Sequence, residues 1–197
     1  MASRERTYGG STLSARRAQR RADLAEATLD LVGEGGSPAV TVRSVCRKAG
    51  LTDRYFYESF ANRDELLTAV FNDVSHEVFG AMADVVSQVK GTRQEKARAA
   101  MMAMVAFGDS DPRKMRLLLR EPFTDSALIA AGLAEASGLT RLLAHNFPRG
   151  ENGTQRAMNA ISVGGALATL LATWQMGLLR VSVEELVEHC VSLVAPE

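Results

Sequence analysis

Residues 41–60 read TVRSVCRKAGLTDRYFYESF, and this stretch decides the fold. Thr41 stands where a hydroxyl can cap a helix over residues 42–49. Gly50 then supplies the left-handed backbone that turns the chain. Thr52 stands in the capping place of a second helix of about two turns. Val42, Val45, Cys46, Ala49, Leu51, Phe56 and Phe60 give the pair an apolar side. Arg43, Arg47, Lys48, Arg54, Tyr55 and Tyr57 give it cations and phenols on the other. A buried seam beneath an exposed, hydrogen-bonding second helix is the layout of a helix-turn-helix that reads DNA.

Upstream, residues 1–13 hold little apolar content and read as a disordered arm. Ser14 can cap a first helix that buries Leu24, Thr28, Leu31 and Val32 at i, i+4, i+7 and i+8. Gly33, Gly35, Gly36 and Pro38 end it. Arg16, Arg17, Arg20 and Arg21 crowd its start, where cations oppose the helix dipole. They either meet a phosphate or stand as solvated charge.

Downstream, Asn62 and Glu65 have the spacing of a capping box. They open a long helix whose apolar positions run from Leu66 to Val89, on the order of 40 Å at the α-helical rise. Such a helix is a core element, a lever into the rest of the chain, or both. Thr92 with Glu95, Asp111-Pro112, Asp125 or Ser126, Asn152 with Gln155, and Ser182 with Glu185 start the helices that follow. No strand-like alternation runs beyond a few residues. The chain is expected to be all-α with about nine helices: a three-helix head on a helical body.

The 197 residues suffice for one large or two small domains, and 46 % hydrophobic content places them with packed proteins rather than disordered ones. Net charge is zero but unevenly spread. Residues 1–63 carry eleven Lys/Arg against seven Asp/Glu, a balance of +4, and the remainder twelve against sixteen, a balance of −4. A basic head on an acidic body suits contact with a phosphate backbone at one end, although surface charge also clusters by chance. The two cysteines, Cys46 and Cys190, have no motif neighbours, which suits a reducing cytoplasm. The arginine-rich start is no secretory signal. No apolar run reaches the roughly 18 residues of a membrane helix without polar interruption, so no membrane partner is expected. The nearest run, 157–179, is broken by Asn159, Ser162, Thr169, Thr173 and Gln175.

Residues 24–67 resemble the DNA-binding domain of the TetR family of bacterial transcriptional regulators. The resemblance rests on Thr41, Val42, Ala49, Gly50, Tyr57, Phe60, Arg63, Leu66 and Leu67 at the family's spacing. Cys46 stands where Ala is usual, Arg63 where Lys is usual, and Ser59 where an aromatic or His is common. The resemblance implies a head at 14–62 and an effector-binding, dimerising body at 63–197. It implies DNA-facing roles for Thr41, Arg43, Thr52, Asp53, Arg54, Tyr55, Tyr57 and Arg63. Arg54 can read guanine with two hydrogen bonds, touch a phosphate, or pair with Asp53 or Glu58. Tyr55 and Tyr57 can lie on thymine methyls or bond phosphates, and Tyr57 can instead be core. Thr41, Arg43 and Thr52 sit at helix starts that favour phosphate, and Arg63 clamps another phosphate or caps its helix in solvent.

The family's effector pocket would fall among Met101, Met104, Phe107, Met115, Phe123, Met158 and Trp174, which otherwise are ordinary core. A homodimer would form through the last two helices. There Ala160, Gly164, Ala168 and Ala172 make a small-residue ridge beside Leu186 and Cys190, unless that ridge packs within one subunit. The implied function is a cytoplasmic repressor on a palindromic double-stranded DNA operator, released by a small apolar or amphipathic effector. An activator, a nucleoid-associated DNA-binding protein, or a helical adaptor without DNA binding are the alternatives. His76, His145 and His189 are isolated, so no catalytic residue, cofactor or metal site is expected.

Overall fold

The computed structural model of the chain describes residues 13–132 and 153–195, helical throughout its regular elements and without a strand among the described residues. The chain divides into two compact units, Met1–Val70 and Phe71–Glu197, a boundary inside the long helix rather than at its start.

The first unit, the head, packs α1 (Leu13–Gly35), α2 (Val42–Ala49) and α3 (Asp53–Tyr57) with the beginning of α4 (Arg63–Gln88). The arm expected at 1–13 lies almost wholly outside the described residues, and α1 starts at Leu13, one residue before Ser14. Gly33 and Gly35 are its last turn, and Gly36, at φ 74°, ends it. Leu24, Leu31, Val32, Val45, Phe56, Phe60, Leu66 and Leu67 form the core. Thr28 is buried among them because its hydroxyl donates to the Leu24 carbonyl at 2.8 Å. Gly50 sits at φ 65°, ψ 26°, the left-handed region that a side chain resists. The second helix is shorter than expected, five residues. Asn62 Oδ1 accepts from the Glu65 amide at 2.8 Å, but Glu65 reaches back to the Ala61 amide rather than to that of Asn62.

The second unit, the body, continues α4 and adds α5 (Arg93–Ser110), α6 (Pro112–Leu119), α7 (residues 126–132 as described), α8 (Gly153–Gln175) and α9 (Val183–Val194). Capping boxes at Thr92/Glu95 and Ser182/Glu185 and the Asp111 cap before Pro112 form as expected. Asp125 caps α7, its Oδ1 accepting from the Ala127 amide at 3.1 Å. The Asn152 box lies outside the described residues. Met101, Val105, Met115, Leu119, Leu171, Leu186, Val187, Cys190 and Val191 join α5, α6, α8 and α9 in one core. Gly108 admits Met115: a methyl group there would lie 2.9 Å from its Cγ.

α8 corrects the membrane criterion applied to the sequence. It is long and apolar enough, by length and composition, to cross a bilayer, and only 18 % of its most apolar window is buried. Its hydroxyls interrupt the pattern less than their names suggest. Thr169 Oγ1 donates to the Gly165 carbonyl at 2.8 Å and Thr173 Oγ1 to that of Thr169 at 2.6 Å, hiding their polarity against the helix.

Candidate functional site

The outer surface of α2 and α3 is built from caps and clamps. Thr41 Oγ1 accepts from the Ser44 amide at 3.1 Å, and Ser44 Oγ accepts from the Thr41 amide at 2.9 Å, closing a capping box. Thr52 occupies the cap position of α3 in extended backbone but makes no capping hydrogen bond with its side chain. Its hydroxyl is exposed. Asp53 follows it, beside Cys46. Burial, and then the Asp53 carboxylate, push the Cys46 thiol up to about 11, so the thiol stays neutral.

Three of the four α1 arginines find a role that neither sequence alternative covered. Arg17 donates to the Glu58 carbonyl and Arg21 to the Ser59 carbonyl at 2.9 Å. Arg20 pairs with Glu58 at 3.6 Å and covers the Tyr55 ring at 4.6 Å, while Arg21 lies over Phe60 at 4.1 Å. Arg17 and Arg21 oppose the dipole of their own helix and satisfy carbonyls at the end of α3, where cations are favoured. A five-residue helix has little stability of its own. These side chains hold α3 in place.

With α3 pinned, its outward residues are open. Arg54 is 85 % exposed, its Nε donating to Glu58 Oε1 at 3.2 Å one turn on. That exposed pair is weak and exchanges readily for a base or a phosphate. Tyr57 is 60 % exposed with its ring edge against buried Phe56, which removes Tyr57 from the core. Tyr55 is 38 % exposed. Arg43 is exposed on α2, and so is Arg47 one turn later on the same face. Neither shows an ion pair among the described residues, whereas Lys48 is held by Glu34 at 2.6 Å and Asp30 at 3.6 Å. Arg47 was missing from the sequence-based set, although its spacing from Arg43 could have found it.

Arg63 makes three contacts within the head. Its Nη2 donates to the Ser37 carbonyl at 2.7 Å, its Nε to that of Val40 at 3.0 Å and its Nη1 to Asp64 at 2.9 Å. The guanidinium buckles the start of α4 to the backbone just before α2. It is not a solvated cap: its donors have carbonyl and carboxylate acceptors within the chain.

In the body, a cavity of about 270 Å³ lies between α5, α6 and α8. Of the seven residues expected around an effector, Met104, Met115 and Trp174 line it. Met101 is buried in the core and Phe107 packs against that core. Phe123 and Met158 are exposed, at 64 % and 49 %. The ridge expected at a dimer contact also divides. Ala172, Leu186 and Cys190 are buried in their own chain's core and offer no surface to a second copy. Gly164 and Ala168 are half-buried, and the Ala160 side chain lies outside the described residues. The exposed stripe of α8 is Met158, Ile161, Ser162, Gly165 and Thr169, at i, i+3, i+4, i+7 and i+11.

The profile of the bacterial regulatory proteins, tetR family, matches residues 24–70, which hold the outward residues of α2 and α3 and Arg63 but not the α1 arginines. The chain carries a tetR-family N-terminal domain. It is similar to the HTH-type transcriptional regulator BetI of Burkholderia mallei (strain NCTC 10229), 30 % identical over 92 residues, 47 % of this chain. The matched region spans about half of that relative's length, 45 %. Beyond the tetR-family head, the likeness is of fold. The fatty acid degradation regulator FadR from Bacillus halodurans superposes with a TM-score of 0.72 at 15 % identity, over 90 % of this chain and 95 % of its own. FadR from Bacillus subtilis, in complex with stearoyl-CoA, superposes with a TM-score of 0.69 at 16 % identity, over 89 % and 97 %. The all-α architecture is thus that of TetR-like regulators.

Proposed function

We propose that the protein is a cytoplasmic transcriptional repressor that binds a palindromic DNA operator as a homodimer and leaves it when a small apolar or amphipathic molecule occupies the body. The observation that carries this reading is α3, pinned by Arg17 and Arg21 so that Arg54, Tyr55 and Tyr57 face outward beside the exposed Arg43 and Arg47. Arg54 reads a base edge, while Arg43, Arg47, Thr41 and Thr52 meet phosphates. Asp53 sits in the first turn of α3, where its carboxylate suits the helix dipole. Chemistry in this reading ends at binding, with no catalytic step.

One such head spans too few base pairs to select an operator, and two-fold pairing doubles the site. The outer stripe of α8 supports pairing: small and apolar residues stand exposed on a helix that packs into the core through Leu167, Leu171 and Ala172. Release by an effector is supported by the cavity and by the stearoyl-CoA complex of the Bacillus subtilis FadR neighbour. The ligand acts by its differential affinity for a conformation that fits DNA poorly.

Footprint sequencing of genomic DNA bound by the purified full chain tests the reading. A recurring palindrome with half-sites about one helical turn apart is the expected result. Uniform recovery of genomic DNA would point instead to a nucleoid-associated protein, and no recovery to an adaptor.

A further inference from the structure

The groups around the body's cavity define the charge of what fits inside it. Its walls are apolar and polarisable, with Met104, Met115 and Leu171 beside the Trp174 ring. The indole N–H is already used, donating to the Val181 carbonyl at 3.2 Å, so the ring offers its π system rather than a donor. Two polar side chains line the cavity besides. Asp109 is exposed and shows no ion pair among the described residues. Gln175 Oε1 is buried with no hydrogen-bond partner, and a buried acceptor left unmet is costly.

Both residues sit at helix C-termini, Asp109 in the last turn of α5 and Gln175 as the last residue of α8, where the dipole adds negative potential. The opposing positive end is that of α6, which starts at Pro112, and it is already answered. Asp111 Oδ1 accepts from the Arg113 amide at 3.1 Å, and Asp111 also pairs with the Arg113 guanidinium at 2.8 Å. The other nearby cation, Lys114, is held by Glu77 at 2.7 Å. The unspent groups are therefore a carboxylate, an amide oxygen and an indole face, and no unspent cation stands among them.

We propose that this cavity takes a small amphiphile with a protonated amine head, its ammonium set between Asp109 and Gln175 and its apolar part against Met104, Met115 and Trp174. The indole face attracts the same cation. The volume of about 270 Å³ limits the guest to the smallest of drug-sized ligands, for which cavities of roughly 300–1,000 Å³ are usual. The inference rests on the reading of the body as an effector domain and narrows the effector to one charge class.

Trp174 is the chain's single tryptophan, so its fluorescence reports the cavity directly. The full chain is titrated with 4-phenylbutylamine, 4-phenylbutan-1-ol and 4-phenylbutyrate, which differ only in the head group. The amine should bind about tenfold or more tighter than the carboxylate, with the alcohol between them. Asp109→Asn, at an exposed position, should lower amine affinity about tenfold and leave the alcohol unmoved. Gln175→Leu should weaken amine and alcohol alike. Equal or tighter binding of 4-phenylbutyrate would overturn the proposal, and so would an amine affinity untouched by Asp109→Asn. The same samples are then titrated with operator DNA. Amine binding that leaves operator affinity unchanged would remove the effector reading while the cavity's charge preference stood.

Discussion

The head and the body are held together by different physics. The head relies on directional clamps: arginines of α1 on the end of α3, and Arg63 on the backbone before α2. The body relies on a broad apolar core of Met, Leu, Val and Cys with few polar links, such as Arg98 to Glu188 between α5 and α9. Directional contacts demand particular residues at particular places. Apolar packing accepts many residue sets of similar volume, so the body can change its cavity without losing its fold. The profile match covers residues 24–70 of the head, while the likeness to solved structures covers about nine-tenths of the chain at 14–19 % identity.

The contrast can be tested, beginning with the head's core. Phe56→Ala removes a fully buried ring from the clamped unit and should cost about 3–5 kcal/mol, read as lower thermal stability and lost operator binding. Retained binding would mean that the clamps alone hold α3. Next, Ile161→Glu on the exposed stripe of α8 should weaken self-association by roughly a hundredfold or more while leaving helicity intact, by sedimentation and circular dichroism. An unchanged mass would move the pairing surface elsewhere.

Arg54→Ala should lose about 1–3 kcal/mol on the cognate operator and much less on random DNA. Equal losses would make Arg54 a phosphate contact. Arg63→Ala sharpens the contrast between clamp and contact. It should lower the stability of the head by about 1–3 kcal/mol and leave the salt dependence of DNA binding unchanged. A salt slope lower by about one would return Arg63 to the phosphate set.

The smallest effect concerns Cys46. Its folded pKa of about 11 lies above the ordinary 9.0, so well below pH 9 the thiol is protonated in both states and stability ignores it. As pH rises from 9 towards 11 the unfolded chain ionises first, and the head should lose stability over that window. Cys46→Ala should flatten this part of the pH–stability profile, and native alkylation at pH 8 should be slow. Rapid alkylation would place the thiol outside the core.

Local features were legible in the sequence because their partners lie within one helical turn. The boxes at Thr92 and Ser182, the Thr41 and Asp111 caps and the Gly50 turn all have this property. Thr41 was legible as a cap, but its partner Ser44 was not, since a serine replaces the usual acid. The acceptors of the arginines were not legible because they stand far along the chain: 41 residues from Arg17, 38 from Arg21, and 23 and 26 from Arg63. In α8, Ala, Gly, Leu and Thr occupy every face, so periodicity could not separate buried Ala172 from exposed Gly165.

By itself the sequence determined that the chain is helical, where most helices begin, and that residues 41–60 make a helix-turn-helix, since propensity, capping and turn geometry act over a few residues. Only tertiary structure decided which cations are clamps and which are free, and which apolar residues line a cavity rather than fill the core. Those outcomes depend on acceptors and voids supplied by distant segments, and a side chain's charge or size does not encode which distant segment it will meet.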